Sequence, residues 1–251
     1  EAAIEYFRRV LPLLPEPERA AVMRKLGNVL ELVGQWDEAS GLYTQGLQLA
    51  LKHENRQEEA RCQAAQAELL RKRGRFEEAT SHLEAARLTF EKLEDEEGVA
   101  QAYHSAGTLA AQQGQYEKAR TLYEQSMALR RELNQPAFIA ALLSNLAIIA
   151  RFQGDLAESR RLNEEALAIR RQVGDRRTIA NSLNNLGNLV RNLGDLAQAR
   201  RHLEEALQLQ REVGDRWAIA NSLNNLGNVV RDQSDFETAR QFYVESLTIN
   251  Y

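Results

Sequence analysis

A single cysteine, Cys62, stands among 251 residues. The chain can therefore form no internal disulfide and no multi-cysteine zinc site. Four prolines and 14 glycines are too few for an all-β fold, which needs many tight turns. Aromatic residues make up only 6%, and no apolar run approaches the ~18 residues of a membrane span. Nor is there an excess of one charge: 32 basic against 36 acidic residues leave a net of −4. A nucleic-acid binder wants a strong basic surplus to neutralise phosphates. The four histidines (His53, His82, His104 and His202) fall in different segments without metal-ligand spacing. No Gly-rich phosphate loop, HExxH or Ser/His/Asp order appears. These absences point away from catalysis, metals and cofactors. The sequence also lacks an initiator Met and a signal peptide and stops inside a helical pattern, so a soluble, cytoplasmic fragment of a longer protein is expected.

What the sequence does have is a period. Gly34, Gly74, Gly114, Gly154 and Gly194 recur every 40 residues, with Ser234 at the sixth place. A bulky residue follows two places on (Trp36, Phe76, Tyr116, Leu156, Leu196, Phe236). A small one follows three further (Ala39, Ala79, Ala119, Ser159, Ala199, Ala239), and a second small one later (Gly46, Ala86, Ser126, Ala166, Ala206, Ser246). The decapeptide IANSLNNLGN occupies 179–188 and returns intact at 219–228. Internal repeats of this length signal a solenoid.

Each unit reads as two helices. In the fifth, the first runs from about Ile179 to Leu193 and is stopped by Gly194, which can take the left-handed conformation. The second runs from about Ala197 to Val213. Asp155, Asp195 and Asp235 sit where a helix N-cap is wanted. Pro15, Pro17 and Pro136 fall between units, and Pro12 ends a stray second helix over Glu1–Leu11, consistent with proline's exclusion from helix interiors. The small residues mark close helix crossings, and the bulky residue fills the wedge between hairpins. The expected organisation is one array over 1–251: a leftover second helix at 1–14, repeats at 15–54, 55–94, 95–134, 135–174 and 175–214, and a truncated sixth at 215–251. In the second repeat Gln63 and Gln66 replace Leu183 and Leu186 of the fifth, so that hairpin is either loosely packed or rotated.

Leu183-x2-Leu186-Gly187-x2-Val190 followed by Ala199-x3-Leu203 and Ala206 resembles the tetratricopeptide repeat. The 40-residue length, NLGN in the first helix and the Val-Gly-Asp-Arg junctions at 173–176 and 213–216 are similar to those of Pins/LGN-type polarity scaffolds, kinesin light chains and bacterial regulators. The resemblance implies an all-α, right-handed superhelical solenoid of stacked antiparallel hairpins. First helices would line a concave groove that holds a peptide or protein.

On a helical wheel Asn181, Asn184, Asn188, Arg191 and Asn192 share an arc of about 100°, opposite Ile179, Leu183, Leu186, Val190 and Leu193. Asn221, Asn224, Asn228, Arg231 and Asp232 repeat the stripe, with Asn185 and Asn225 at its edge. Of 15 asparagines, eight lie within the two decapeptide copies. Asn is ~0.5–0.7 kcal/mol worse than Ala inside a helix, whereas its short amide offers both a donor and an acceptor to a peptide backbone. Some of these amides could instead bridge neighbouring hairpins, Asn185 and Asn225 above all. Arg71, Arg151, Arg191 and Arg231 share one equivalent position, interrupted by Glu31 and Ala111, and a row of guanidinium groups suits carboxylates. Arg24 and Asn28, and in the third unit Gln101, His104 and Thr108, continue the stripe toward the N-terminus. Ser144, Ile148 and Phe152 make a more apolar stretch suited to a ligand's hydrophobic side chain. Arg160–Arg161, Arg170–Arg171 and Arg200–Arg201 belong to second helices and are expected on the outside, paired with Glu164, Glu165, Glu204 and Glu205. Cys62 is expected to be semi-buried and inert.

The leading expectation is a non-catalytic adaptor without cofactor or metal. It would hold an extended, partly acidic peptide on Asn181, Asn184, Asn185, Asn188, Asn192, Asn221, Asn224, Asn225 and Asn228, with Arg151, Arg191 and Arg231 meeting its carboxylates. Two alternatives remain: a ligand-sensing module of a larger signalling or transcription protein, and self-association. Self-association is motivated by terminal apolar residues (Phe236, Phe242, Leu247, Ile249) that no further repeat covers.

Overall fold

The structure, a computed structural model, describes residues 1–250; Tyr251, the last residue of the expected sixth repeat, lies outside them. The described residues form thirteen α-helices and one 3-10 turn, with no strand. The chain divides into two compact units, Glu1–Leu133 and Asn134–Tyr251.

The first unit opens with α1 (Ala2–Val10), where Pro12 leaves only a 3-10 turn over Leu11–Leu13. Three hairpins follow: α2 (Glu16–Leu32) with α3 (Trp36–Lys52), α4 (Arg56–Lys72) with α5 (Phe76–Lys92), and α6 (Glu96–Gln112) with α7 (Tyr116–Glu132). The second unit pairs α8 (Pro136–Phe152) with α9 (Leu156–Val173), α10 (Arg176–Asn192) with α11 (Leu196–Val213), and α12 (Arg216–Asp232) with α13 (Phe236–Asn250). Within each unit, the second helix of a hairpin also packs on the first helix of the next.

Local chemistry sets these boundaries. The side chains of Asp155, Asp195 and Asp235 accept from the backbone N–H three residues on, at 2.9, 2.9 and 3.1 Å, which satisfies a donor that the helix itself leaves open. Helix α10 begins at Arg176 rather than near Ile179, because Asp175 caps it through the Arg177 N–H. The turn after α10 needs a left-handed residue: Gly194 has φ +88°. Ser234 takes the same conformation with φ +67°, at a cost of about 1 kcal/mol relative to glycine.

The small residues sit at the crossings. Ala39, Ala79, Ala119, Ser159, Ala199 and Ala239 are all buried. In the first helices a further small position, Gly27, Gly107, Gly187 and Gly227, lies against Tyr43, Tyr123, Leu203 and Tyr243. A Cβ built on Gly227 would come within 2.5 Å of the Tyr243 ring. Where the fourth repeat has Ala147 at this place, Asn163 replaces the large partner.

Two packing expectations need correction. Trp36 and Phe236 do not fill wedges: Phe236 is 68% exposed, and the Trp36 indole stays at the rim, donating to the Glu31 carbonyl at 3.2 Å. Phe242 and Ile249 are not uncovered either; both pack on the cluster around Leu203, Leu207 and Leu226, while Phe236 and Leu247 are exposed. The second repeat is not rotated. Ala60, Ala67 and Leu69 are buried, just as Ala180, Gly187 and Leu189 are in the fifth, so the register is kept. Gln63 and Gln66 instead leave their Oε1 atoms buried without a partner, a local penalty of about 1–3 kcal/mol for each.

Candidate functional site

The amide stripe splits into two groups once side chains are placed. Asn184, Asn221 and Asn225 bind one another across α10 and α12. The Asn184 amide donates to Asn221 Oδ1 at 3.0 Å, and its own Oδ1 accepts from Ser222 Oγ at 3.1 Å and Asn225 Nδ2 at 3.0 Å. Asn225 Nδ2 also donates to Asn221 Oδ1 at 3.0 Å. This closed set ties the fifth repeat to the sixth. The bridging role anticipated for Asn225 is therefore present, and it extends to Asn184 and Asn221. Asn185 takes no part and is exposed.

The other amides remain open. Asn181, Asn185, Asn192 and Asn224 are exposed and Asn188 is half-buried, and none bonds another side chain among the described residues. Asn228 is half-engaged: its Oδ1 accepts from the Tyr243 hydroxyl at 3.0 Å, which leaves its N–H2 donors. The fifth repeat carries Leu203 where the sixth has Tyr243, so Asn188 has no hydroxyl to bind.

The guanidinium groups follow a similar division. Arg191 Nε donates to Asp232 Oδ2 at 2.6 Å, and Arg231 donates to Asp232 Oδ1 at 3.1 Å. One carboxylate thus serves two arginines. Hydrogen bonds from Arg191 and then Arg231 outweigh desolvation and hold the Asp232 carboxyl below its usual range. Arg151 stacks on the Phe152 ring at 5.8 Å, and no carboxylate pairs with it among the described residues. Across Arg151, Arg191, Arg231 and Asp232 the local charge is positive. Beside Arg151, Ile148 is 44% and Phe152 62% exposed, which gives the fourth repeat an apolar surface.

Sequence reasoning placed Arg170 on the solvated exterior, and the structure turns it inward. Arg160, Arg161, Arg171 and Arg200 do pair with glutamates, respectively Glu164, Glu158 with Glu165, Glu205, and Glu204. Arg170 instead reaches between α8 and α10, donating to Ser144 Oγ at 3.0 Å, to Ser182 Oγ, and to the Ala140 carbonyl at 3.3 Å. The signal was available: 40 and 80 residues earlier the same place holds buried Arg130 and Phe90. In the first unit, burial pushes the Cys62 thiol up to about 12, which leaves it inert as a nucleophile. Among the described residues there is no group of three or more potential metal ligands. No described helix is long and apolar enough to cross a membrane.

The repeat geometry agrees with a family comparison. A tetratricopeptide repeat model matches residues 54–132, 138–199 and 178–250, and a second matches 22–57. The chain belongs to the tetratricopeptide repeat family. The repeats of this family serve as protein–protein interaction scaffolds, and the fold is typically non-catalytic. A search of the curated proteins finds no match. Among solved structures, the chain is similar to BtubC (BKLC) from P. vanneervenii, with a TM-score of 0.73 and 21% identity over 87% of this chain and 89% of that one. It is also similar to a Rap protein complexed with Competence and Sporulation Factor, with a TM-score of 0.73 and 19% identity over 98% and 68%. A third similarity is to a signal transduction ATPase with a tetratricopeptide repeat sensor from Pyrococcus horikoshii, with a TM-score of 0.78 and 12% identity over 97% and 40%. At these identities the likeness concerns the fold.

Proposed function

We propose that the first-helix face of α10 and α12 binds an extended, partly acidic peptide, without catalysis. The observation that carries this reading is chemical. Asn181, Asn185, Asn188, Asn192 and Asn224 hold donors and acceptors that the described residues leave unused, beside two arginines that share Asp232. Open amides can pair with a peptide backbone, and the surplus guanidinium charge favours carboxylates. Asn184, Asn221 and Asn225 shape the face more than they contact the ligand, and Ile148 and Phe152 would take an apolar ligand side chain. Affinity from such shallow contacts should be about micromolar, near −8 kcal/mol. The Rap protein complexed with Competence and Sporulation Factor supports partner capture on this fold by analogy.

Phage-display selection on the immobilised protein tests the reading. Enrichment of Asp- and Glu-containing sequences is expected, with binding of the selected peptide lost in the Asn188→Ala/Asn224→Ala/Arg231→Ala variant at unchanged helicity. Selection of sequences without acidic residues, or full affinity in that variant, contradicts it.

Self-association is a second reading, favoured by the exposure of Trp217, Phe236, Val244 and Leu247 on α12 and α13. At the place of Leu247, which is 59% exposed, the previous repeat has Leu207 at 6%. A molar mass by light scattering that stays monomeric at every concentration removes it.

A further inference from the structure

The third and fourth repeats solve the same local problem with and without an acid. Arg130, near the end of α7, is buried. Its NH1 lies 3.5 Å from Glu97 Oε1, and its NH2 donates to Gln101 Oε1 at 3.2 Å. Both partners sit on the first helix of the same hairpin. Forty residues on, Arg170 holds Arg130's place, but the places of Glu97 and Gln101 are Ala137 and Ala141. The guanidinium is kept and its acid is missing.

Arg170 is half-buried, and its hydrogen-bond partners among the described residues are all neutral: Ser144 Oγ, Ser182 Oγ and the Ala140 carbonyl. A guanidinium has five N–H donors, and these bonds use three. Burial disfavours its charge, and Asp175 is the carboxylate that offsets this from a distance; arginine nevertheless stays protonated. A partly desolvated cation without a bonded anion is an unfavourable arrangement that a ligand carboxylate would relieve.

Arg170 and Ser144 are half-buried, so part of the cluster remains accessible, whereas Ser182 is buried. Ser144 occupies, in α8, the place that Asn184 holds in α10. Between α10 and α12 that longer amide closes the seam by bonding Asn221, Asn225 and Ser222. Between α8 and α10 the shorter serine leaves the guanidinium beneath it, with Asn181 and Asn185 exposed on α10.

We propose that Arg170, Ser144 and Ser182 form a carboxylate-binding subsite at the seam of α8 and α10. This deepens the peptide-binding reading and rests on it, by naming where one carboxylate of the ligand is held. The carboxylate accepts from the two free guanidinium N–H groups, and the Ser144 hydroxyl can rotate from the Ala140 carbonyl, which it now meets at 3.1 Å, toward the ligand. The carboxylate is either an Asp/Glu side chain or the end of the peptide chain.

The decisive variant restores the missing acid. Ala137 is exposed in the first turn of α8, where a glutamate is favoured by the helix dipole, so Ala137→Glu should fold. Three probes are titrated into the 15N-labelled protein: acetyl-tetraglutamate amide, acetyl-tetraglutamine with a free C-terminus, and acetyl-tetraglutamine amide as neutral control. The Arg170 Nε–Hε resonance is followed throughout, and helicity is checked by circular dichroism. At least one carboxylate probe should shift that resonance in the wild type while the neutral control does not, and which probe does so tells a side chain from a chain end. Ala137→Glu should weaken that probe at least tenfold. Absence of any shift at millimolar probe overturns the proposal, as does equal affinity in Ala137→Glu. If binding survives Ala137→Glu but is lost in Asn188→Ala/Arg231→Gln, the subsite fails and the broader reading stands. The reverse pattern keeps the subsite and removes the broader reading.

Discussion

The two units fill equivalent first-helix positions with different chemistry. In the first two repeats of Glu1–Leu133, charged side chains are closed by opposite charge. Arg24 donates to Glu58 at 3.0 Å, Lys72 to Glu31 at 2.5 Å, and Arg71 to Glu68 at 2.5 Å. In Asn134–Tyr251, the place of Glu68 is taken by Ile148, Asn188 and Asn228; one turn on, Arg191 and Arg231 share a single acid and Arg151 pairs with none among the described residues. Ion pairs satisfy themselves and leave little for a ligand, whereas amides offset by a surplus cation leave both hydrogen-bonding capacity and charge. The difference teaches that position in the repeat alone does not leave a first-helix face open; what matters is whether the position is already satisfied.

The comparison can be broken most severely at Arg24. Glu58 is only 7% exposed and is held by Arg24 and Arg61. Arg24→Met should destabilise the protein by about 3 kcal/mol, as expected when a buried pair loses one partner; urea denaturation measures this. The pH dependence should change with it. Burial works to raise the Glu58 carboxyl, but Arg24 and then Arg61 outweigh burial and hold it below the ordinary value of 4.5. A lowered folded-state value means that this stability is present above about pH 4.5 and is lost as pH falls through the folded value. The acid-side slope of stability should therefore flatten in Arg24→Met.

A smaller effect is expected where the units agree. Gly227→Ala drives a methyl group against Tyr243 and should destabilise by about 1–3 kcal/mol. Combining it with Tyr243→Asn copies the Ala147 and Asn163 pair of the fourth repeat. A double-mutant cycle should then show favourable coupling, and strict additivity would contradict the packing account. Smaller still is Asn225→Ala, expected to remove about 1 kcal/mol by opening the amide set between α10 and α12, with no change in the acid slope. The smallest change is a gain: Ser234→Gly should stabilise by about 0.5–1 kcal/mol by relieving the left-handed serine, read as a raised melting temperature.

The fold was legible because each of its rules is local and repeated. Small residues at 39, 79, 119, 159, 199 and 239 mark crossings, and aspartates at 155, 195 and 235 mark helix starts. The all-α repeat architecture followed from that spacing, and the motif around Leu183, Leu186 and Gly187 carried the resemblance to the tetratricopeptide family. The site was legible only as a face. Helical angle alone placed Asn181, Asn184 and Asn188 in one arc, yet it could not show that Asn184 reaches α12 while Asn181 stays open, since that depends on which side chain the next repeat presents. Arg170 was misplaced for the same reason: its neighbour Arg171 does pair with Glu205 on the surface, and only the register with Arg130 and Phe90 marks one of the two as inward. Phe242 and Phe236 differ likewise in which face of α13 they occupy.

The most direct test of the central claim is to close the open face by charge, as the other unit does. Asn188→Glu places a carboxylate one turn before Arg191, the spacing at which Glu68 neutralises Arg71. Binding of the selected acidic peptide is then measured by isothermal titration calorimetry. At least a tenfold loss of affinity with unchanged helicity is expected; equal affinity in Asn188→Glu and wild type would contradict the account.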